Sequence, residues 1–254
     1  MTEQTPALSK ALTLEQFPRS SAYDPHWVLD NLMGPNVLWL TEALCQEMEL
    51  KSGMRVLDMG CGRAISSIFL AKEFDVQVWA TDLWINASEN WQRIQAAGVS
   101  DRVFPIHAEA HQLPFADNFF DAAVSMDAYH YFGTNDLYLS TYTRFVRPGG
   151  QIGIIVPGLQ HEFTAGLPEH LAPYWEPDYW SFHSPAWWRA HWQKANLVEV
   201  DQADLLPDGW RQWLLWLEVC QAYGYPTDPQ GMAMLRMDAG RNLGFTRMVA
   251  CKKG

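Results

Sequence analysis

At 254 residues the chain suits one large α/β domain or one domain with a substantial insertion, and its 48% hydrophobic content is enough to fill a core. A net charge of −11 with no lysine or arginine cluster argues against nucleic acid or an anionic membrane as the main partner. No apolar run nears the roughly 18 residues that cross a bilayer, the opening MTEQTPALSKALTLEQ lacks a basic-then-apolar leader pattern, and Cys45, Cys61, Cys220 and Cys251 show no paired metal spacing, so a cytoplasmic protein with reduced structural thiols and no metal is expected.

Residues 1–22 hold a short helix and a loop. Asp24 then caps a helix starting at Pro25, Gly34-Pro35 ends it, and residues 36–50 form another with Val37, Leu38, Leu40, Leu44 and Met48 on one apolar face. Residues 54–57 read as a buried parallel strand bounded in front by Ser52-Gly53. Asp58 follows, and Gly60 and Gly62 permit a tight turn on which a ligand can approach the main chain. A helix over 65–73 completes the unit. Strand, glycine turn and helix in this order build a ligand site at the carboxyl edge of an α/β sheet. A dinucleotide fingerprint would put a third glycine where Ile65 stands, and an acid two residues before Gly60 suits an ammonium group better than a pyrophosphate. The loop therefore reads as a nucleoside-type site.

Residues 76–81 make a second strand ending on Asp82. A carboxylate there neighbours the ligand crevice and can accept both hydroxyls of a ribose; its alternative use is to cap the next helix. A helix over 86–97, a third strand over 102–107, a turn at Asp117-Asn118 and a fourth strand over 120–126 follow. The fourth strand empties into Asp127-Ala128-Tyr129-His130-Tyr131-Phe132. A helix over 134–146, a turn at Arg147-Pro148-Gly149-Gly150 and a fifth strand over 151–156 come next.

Beyond Gly158 the composition shifts, with eight of the chain's thirteen tryptophans at positions 175, 180, 187, 188, 192, 210, 213 and 216. Ser184-Pro185 opens a helix to Lys194, residues 197–204 form a sixth strand, and helices over 207–223 and 228–240 precede a last strand over 245–251. This segment reads as a cap over a substrate, although Trp210, Trp213 and Trp216 carry the helical spacing of core residues. His161, His170, His183 and His191 have no compact ligand spacing, so no metal site is expected.

The run VLDMGCG at 56–62 resembles motif I of class I S-adenosylmethionine-dependent methyltransferases. Further matches follow in order: residues 108–115 (AEAHQLPF), Phe120-Asp121 before a buried strand, and Arg147-Pro148-Gly149-Gly150, so the resemblance covers residues 53–157. It implies a doubly wound, Rossmann-like α/β fold with seven strands, the last antiparallel at the sheet edge. Lid helices would occupy 1–50, the cofactor-binding core 51–157, an aromatic-rich cap insertion with the sixth strand 158–242, and the final strand 243–254. The implied cofactor is S-adenosyl-L-methionine, contacted by Asp58, Gly60, Cys61, Gly62, Asp82, Leu83, Glu109, Ala110 and Asp127. Glu109 stands where the family has aspartate and would accept from the adenine amino group. His130 aligns with a histidine that some small-molecule O-methyltransferases use as general base, and a neutral imidazole titrating near pH ~6.5 can take a hydroxyl proton. Tyr23, Trp27, Tyr129 and Tyr131 either shape the acceptor pocket or simply pack. The implied activity is methyl transfer to a small-molecule acceptor at O, S, N or C, the alternatives being a non-catalytic S-adenosylmethionine-binding protein or a methyltransferase with a protein or lipid acceptor; neither nucleic acid nor membrane is expected as partner, and the oligomeric state is open.

Overall fold

The apolar run before the glycine turn forms β1 (Arg55–Met59) at the middle of a seven-stranded sheet in the computed structural model, which describes residues 4–254. β2 (Gln77–Asp82) and β3 (Val103–His107) step outward on one side. β4 (Phe120–Met126) and β5 (Val146–Leu159) do so on the other, followed by β7 (Leu243–Lys252) and then β6 (Val198–Leu205). The order is β3-β2-β1-β4-β5-β7-β6. β1 to β5 pair parallel, which demands crossovers; α4 (Ile65–Phe74) and α5 (Ala87–Ala96) supply the first two. Because β1 pairs with both β2 and β4, the chain direction across the sheet reverses there and opens a crevice at the strands' carboxyl ends.

Side chains alternate across each strand. Val56 enters the core shared with α3 (Val37–Cys45) and α4, whereas Leu57 joins Tyr142 of α6 (Tyr138–Arg144) and Trp188 and Trp192 of α7 (Pro185–Ala195) on the opposite face. A third cluster, including Leu171, Phe182, Met234 and Leu235, joins α8 (Gly209–Ala222) and α9 (Pro229–Asp238) to Leu159 and Leu243 at the ends of β5 and β7. At the amino end, α1 (Gln4–Leu12) precedes α2 (Pro25–Asp30), whose start is fixed by the Asp24 side chain accepting from the His26 N–H. No described helix is long and apolar enough to cross a membrane.

Two expectations are corrected. The last strand is antiparallel but not at the edge: β7 lies between β5 and β6. Eight of its ten residues are buried, whereas β6 carries the exposed and half-exposed positions of an edge strand. The Arg147-Pro148-Gly149-Gly150 segment is an irregular start of β5 rather than a free turn, with a shifted register opposite Phe120 and Ala122. A Cβ on Gly150 would lie 2.6 Å from the Asp121 carbonyl oxygen, so glycine is required for that close strand approach.

Candidate functional site

At the carboxyl edge of β1 the chain turns through Gly60 with φ +71, and a Cβ there would lie 2.4 Å from the Ala128 Cβ. Only glycine fits that turn against the loop leaving β4. The turn is tied to β2: the N–H groups of Gly60 and Cys61 donate to the Thr81 carbonyl at 2.8 and 3.0 Å, and the Gly62 N–H donates to Asp82 Oδ2 at 2.8 Å. A cavity of ≈ 220 Å³ lies over this turn. Its floor is made by Met59 to Arg63, Thr81 to Trp84, Ala108 to Ala110 and Met126 to Ala128, and its sides by Tyr131 and Phe132. Val28, residues 31–35, Val37 and Trp216 cover it.

The roof is held from several directions. Arg63 Nη1 donates to the Asp30 carbonyl at 2.9 Å and Arg93 Nε to Asn31 Oδ1 at 3.0 Å. The Tyr225 hydroxyl donates to Asp30 Oδ1 at 2.9 Å, and Trp216 Nε1 donates to the Gly34 carbonyl at 2.8 Å. Four large apolar side chains that line the cavity are also open to solvent at its mouth: Met33, Leu83, Trp84 and Tyr131. Trp84 and Tyr131 meet edge to face at 5.9 Å.

The acids expected at the site divide sharply. Asp58 is fully buried beneath the turn and does not line the cavity: its Oδ2 accepts from the Ser66 and Ser67 hydroxyls, each at 2.6 Å. Burial pushes its carboxyl up to about 6 in spite of those two donors. Asp82 lines the cavity and also performs the capping role, since Oδ1 accepts the N–H groups of Trp84 and Ile85 at 2.7 and 2.9 Å. With two lone pairs per oxygen, Oδ1 is filled and Oδ2 retains one position beyond Gly62. Glu109 lines the cavity with its carboxylate engaged by His111, through Nδ1 at 2.7 Å and the backbone N–H at 2.9 Å; the side-chain hydrogen bond leads in holding it below the usual glutamate range. Asp127 stands one residue past β4 at φ +53, its N–H donating to the Ile155 carbonyl at 2.9 Å. Its carboxylate enters the cavity wall with no hydrogen-bond or ion-pair partner among the described residues, and desolvation pushes it up to about 7.

Gly60, Cys61, Gly62, Leu83, Ala110 and Tyr131 also line the cavity as expected. His130 does not. It is 2% exposed, packed against Tyr131 and Phe182 at ring separations of 4.1 and 5.7 Å, and burial drives its imidazole down to about 3. It sits on the 3₁₀ turn Tyr129–Tyr131, next to Tyr131, which does line the cavity. Tyr129 is fully buried against Tyr142, Trp188 and Trp192. Tyr23 and Trp27 take the packing alternative as well: the Tyr23 hydroxyl donates to Glu73 Oε1 at 3.0 Å, and its ring stacks on Trp27 at 5.7 Å. The aromatic segment after Gly158 contributes only Trp216 to the cavity and otherwise packs on itself and on the sheet. Sequence reasoning missed Met33, Arg63, Trp84 and Trp216; the one available signal was Trp84, an indole two residues after the strand-end acid.

Residues 56–150 match the family model of a methyltransferase domain. Over 116 residues the chain is 30% identical to methyltransferase GfsG of Streptomyces halstedii and 31% identical to 27-O-demethylrifamycin SV methyltransferase of Amycolatopsis mediterranei. Each match takes in 45% of this chain, and 42% and 43% of the relatives respectively, so the chain spans less than half the length of the curated relatives it matches. The fold is similar to that of geranyl diphosphate C-methyltransferase from Streptomyces coelicolor A3(2), with a TM-score of 0.70 at 15% identity, covering 97% of this chain and 84% of that one. The match over residues 56–150, the glycine turn inside it and the strand order together identify that part of the chain as similar to a methyltransferase domain on a Rossmann-like sheet.

Proposed function

We propose that the protein transfers a methyl group from S-adenosyl-L-methionine to a small-molecule acceptor. The observation that carries this reading is the convergence, in one roofed cavity at the topological reversal, of the Gly60–Gly62 turn, an Asp82 oxygen with one free acceptor position, and the Leu83 and Ala110 side chains. These residues fit the cofactor part by part. The turn offers close backbone approach to its amino-acid end, Asp82 Oδ2 accepts one ribose hydroxyl, and Leu83 and Ala110 flank an adenine whose amino group Glu109 can accept from. Bound there, the cofactor supplies an electrophilic methyl on sulfonium. The protein's own part is alignment and exclusion of water: the roof over residues 31–35 covers the reacting region, and Asp82 and the turn fix the donor's orientation.

A small acceptor is supported by that roof over the cavity and by the charge of −11. The relatives give no single acceptor atom, since by their names one is a 27-O-demethylrifamycin methyltransferase and another methylates carbon of geranyl diphosphate. Calorimetric titration with S-adenosylmethionine, S-adenosylhomocysteine and NAD tests the reading. Micromolar binding of the first two without NAD is expected, and binding of NAD alone would overturn it.

A further inference from the structure

The polar groups facing the cavity can be counted against the hydrogen bonds they already make. Asn31 is engaged at both ends of its amide, by Arg93 at Oδ1 and by the Trp27 carbonyl at Nδ2. The Thr81 hydroxyl donates to the Asp58 carbonyl. Asp82 and Glu109 are committed as described, and Arg63 donates from Nη1 to the Asp30 carbonyl while its buried Nε has no partner among the described residues. Asp127 is different. It is a carboxylate in the wall with neither donor nor cation beside it among the described residues, on a backbone held at φ +53, a conformation that costs a non-glycine residue energy. A Cβ on Gly34 would lie 2.4 Å from Asp127 Oδ2, so the roof closes directly onto this carboxylate. Gly34 is in turn the residue that Trp216 holds.

We propose that Asp127 receives the acceptor, and that the acceptor is an amine. This rests on the methyltransferase reading of the same cavity. An alkylammonium group is the ligand that a lone, roofed carboxylate attracts most strongly, and the rings of Tyr131, Phe132 and Trp216 lining the same cavity add faces on which a partly methylated ammonium is stable. Carboxylate or phosphate acceptors are disfavoured, because Asp127 would repel them. The carboxylate that holds the ammonium is also placed to accept its proton as the methyl arrives. The nitrogen lone pair thus freed forms the new N–C bond as the methyl–sulfur bond breaks, leaving its electron pair on a neutral thioether. The proton on Asp127 then passes to water, and a primary or secondary amine acceptor leaves as the ammonium form of a secondary or tertiary amine; a tertiary amine acceptor, once it has given up its proton, leaves as a quaternary ammonium.

The test uses the full chain saturated with S-adenosylhomocysteine and titrated with three probes on one ring: cyclohexylmethylamine, cyclohexylmethanol and cyclohexanecarboxylate. The ammonium is expected to bind at least about tenfold more tightly than the alcohol, and the carboxylate more weakly than both. Asp127→Asn should abolish the preference while leaving affinity for S-adenosylhomocysteine within about twofold; asparagine tolerates positive φ, so the variant keeps its fold. Equal or tighter binding of the alcohol or carboxylate, or no binding by any probe, would overturn the amine assignment. A large loss of S-adenosylhomocysteine affinity in the variant would give Asp127 to the cofactor's own ammonium and overturn it as well. Failure of the wild type to bind S-adenosylhomocysteine would instead remove the methyltransferase reading beneath it.

Discussion

Replacing Asp82 by asparagine separates its two duties. In the wild type, Oδ1 caps the turn after β2 through Trp84 and Ile85, while Oδ2 holds the Gly62 N–H at 2.8 Å and keeps one acceptor position. An asparagine carbonyl can still take the first pair, but its amide nitrogen then faces the Gly62 N–H donor to donor. Leaving that backbone donor without a partner costs about 1–3 kcal/mol. For a chain of this size that lowers Tm by about 2–4 °C per kcal/mol. The ribose hydroxyl loses a hydrogen bond to a charged acceptor as well, for which ~1.5–3 kcal/mol is usual, so affinity for S-adenosylhomocysteine should fall roughly 10- to 150-fold. Thermal denaturation and calorimetry on the same preparation read the two effects separately. A fall in Tm with affinity unchanged within about twofold would show that Asp82 only caps the turn, and would refute the ribose assignment.

Two further perturbations probe the surroundings of the site. Trp216→Phe keeps an aromatic ring against Trp39 but removes the 2.8 Å bond to the Gly34 carbonyl; a loss of about 1 kcal/mol and several-fold faster release of S-adenosylhomocysteine in stopped flow are expected, and an unchanged release rate would mean that this bond does not hold the roof. His130 has its imidazole depressed from 6.5 to about 3 by burial, so the unfolded chain binds the proton first and stability is lost as pH falls through that window, by about 5 kcal/mol at most. Asp58 works in the opposite direction: its raised carboxyl favours the folded state at low pH and loses that contribution as pH rises through about 6. His130→Leu should therefore flatten the acid-side fall in stability measured between pH 6.5 and 4, and an unchanged slope would place the titrating group elsewhere.

Much of the sheet was legible because its determinants are local. Apolar runs ending on an acid or a glycine turn marked β1, β2 and β4 to within a residue or two, and Asp24 and Ser184 were readable as helix caps. What failed was the direction of side chains beyond strand ends. Asp127 and His130 lie three residues apart, yet one enters the cavity and the other is sealed behind it, because the chain turns through positive φ at Asp127 and then through a single 3₁₀ turn. Nothing in residue type announces that geometry. The roof was equally hidden: Gly34-Pro35 reads as a helix stop, and its closure depends on Trp216, 182 positions later in sequence.

Three aspartates near the ends of three adjacent parallel strands show why fold alone does not assign the chemistry. Asp58, Asp82 and Asp127 share a residue type and a sheet edge, but each carboxylate meets a different set of donors. Asp58 faces α4 and finds two serine hydroxyls, which, with complete burial, make it part of the core. Asp82 faces backbone N–H groups and keeps a single acceptor position, enough to orient a neutral hydroxyl ligand. Asp127 finds none among the described residues and keeps its whole acceptor capacity for whatever enters the cavity. Since an unpartnered charge in a low-dielectric wall is costly until a cation neutralises it, the ligand contact with the most free energy to gain in this site is the one made at Asp127.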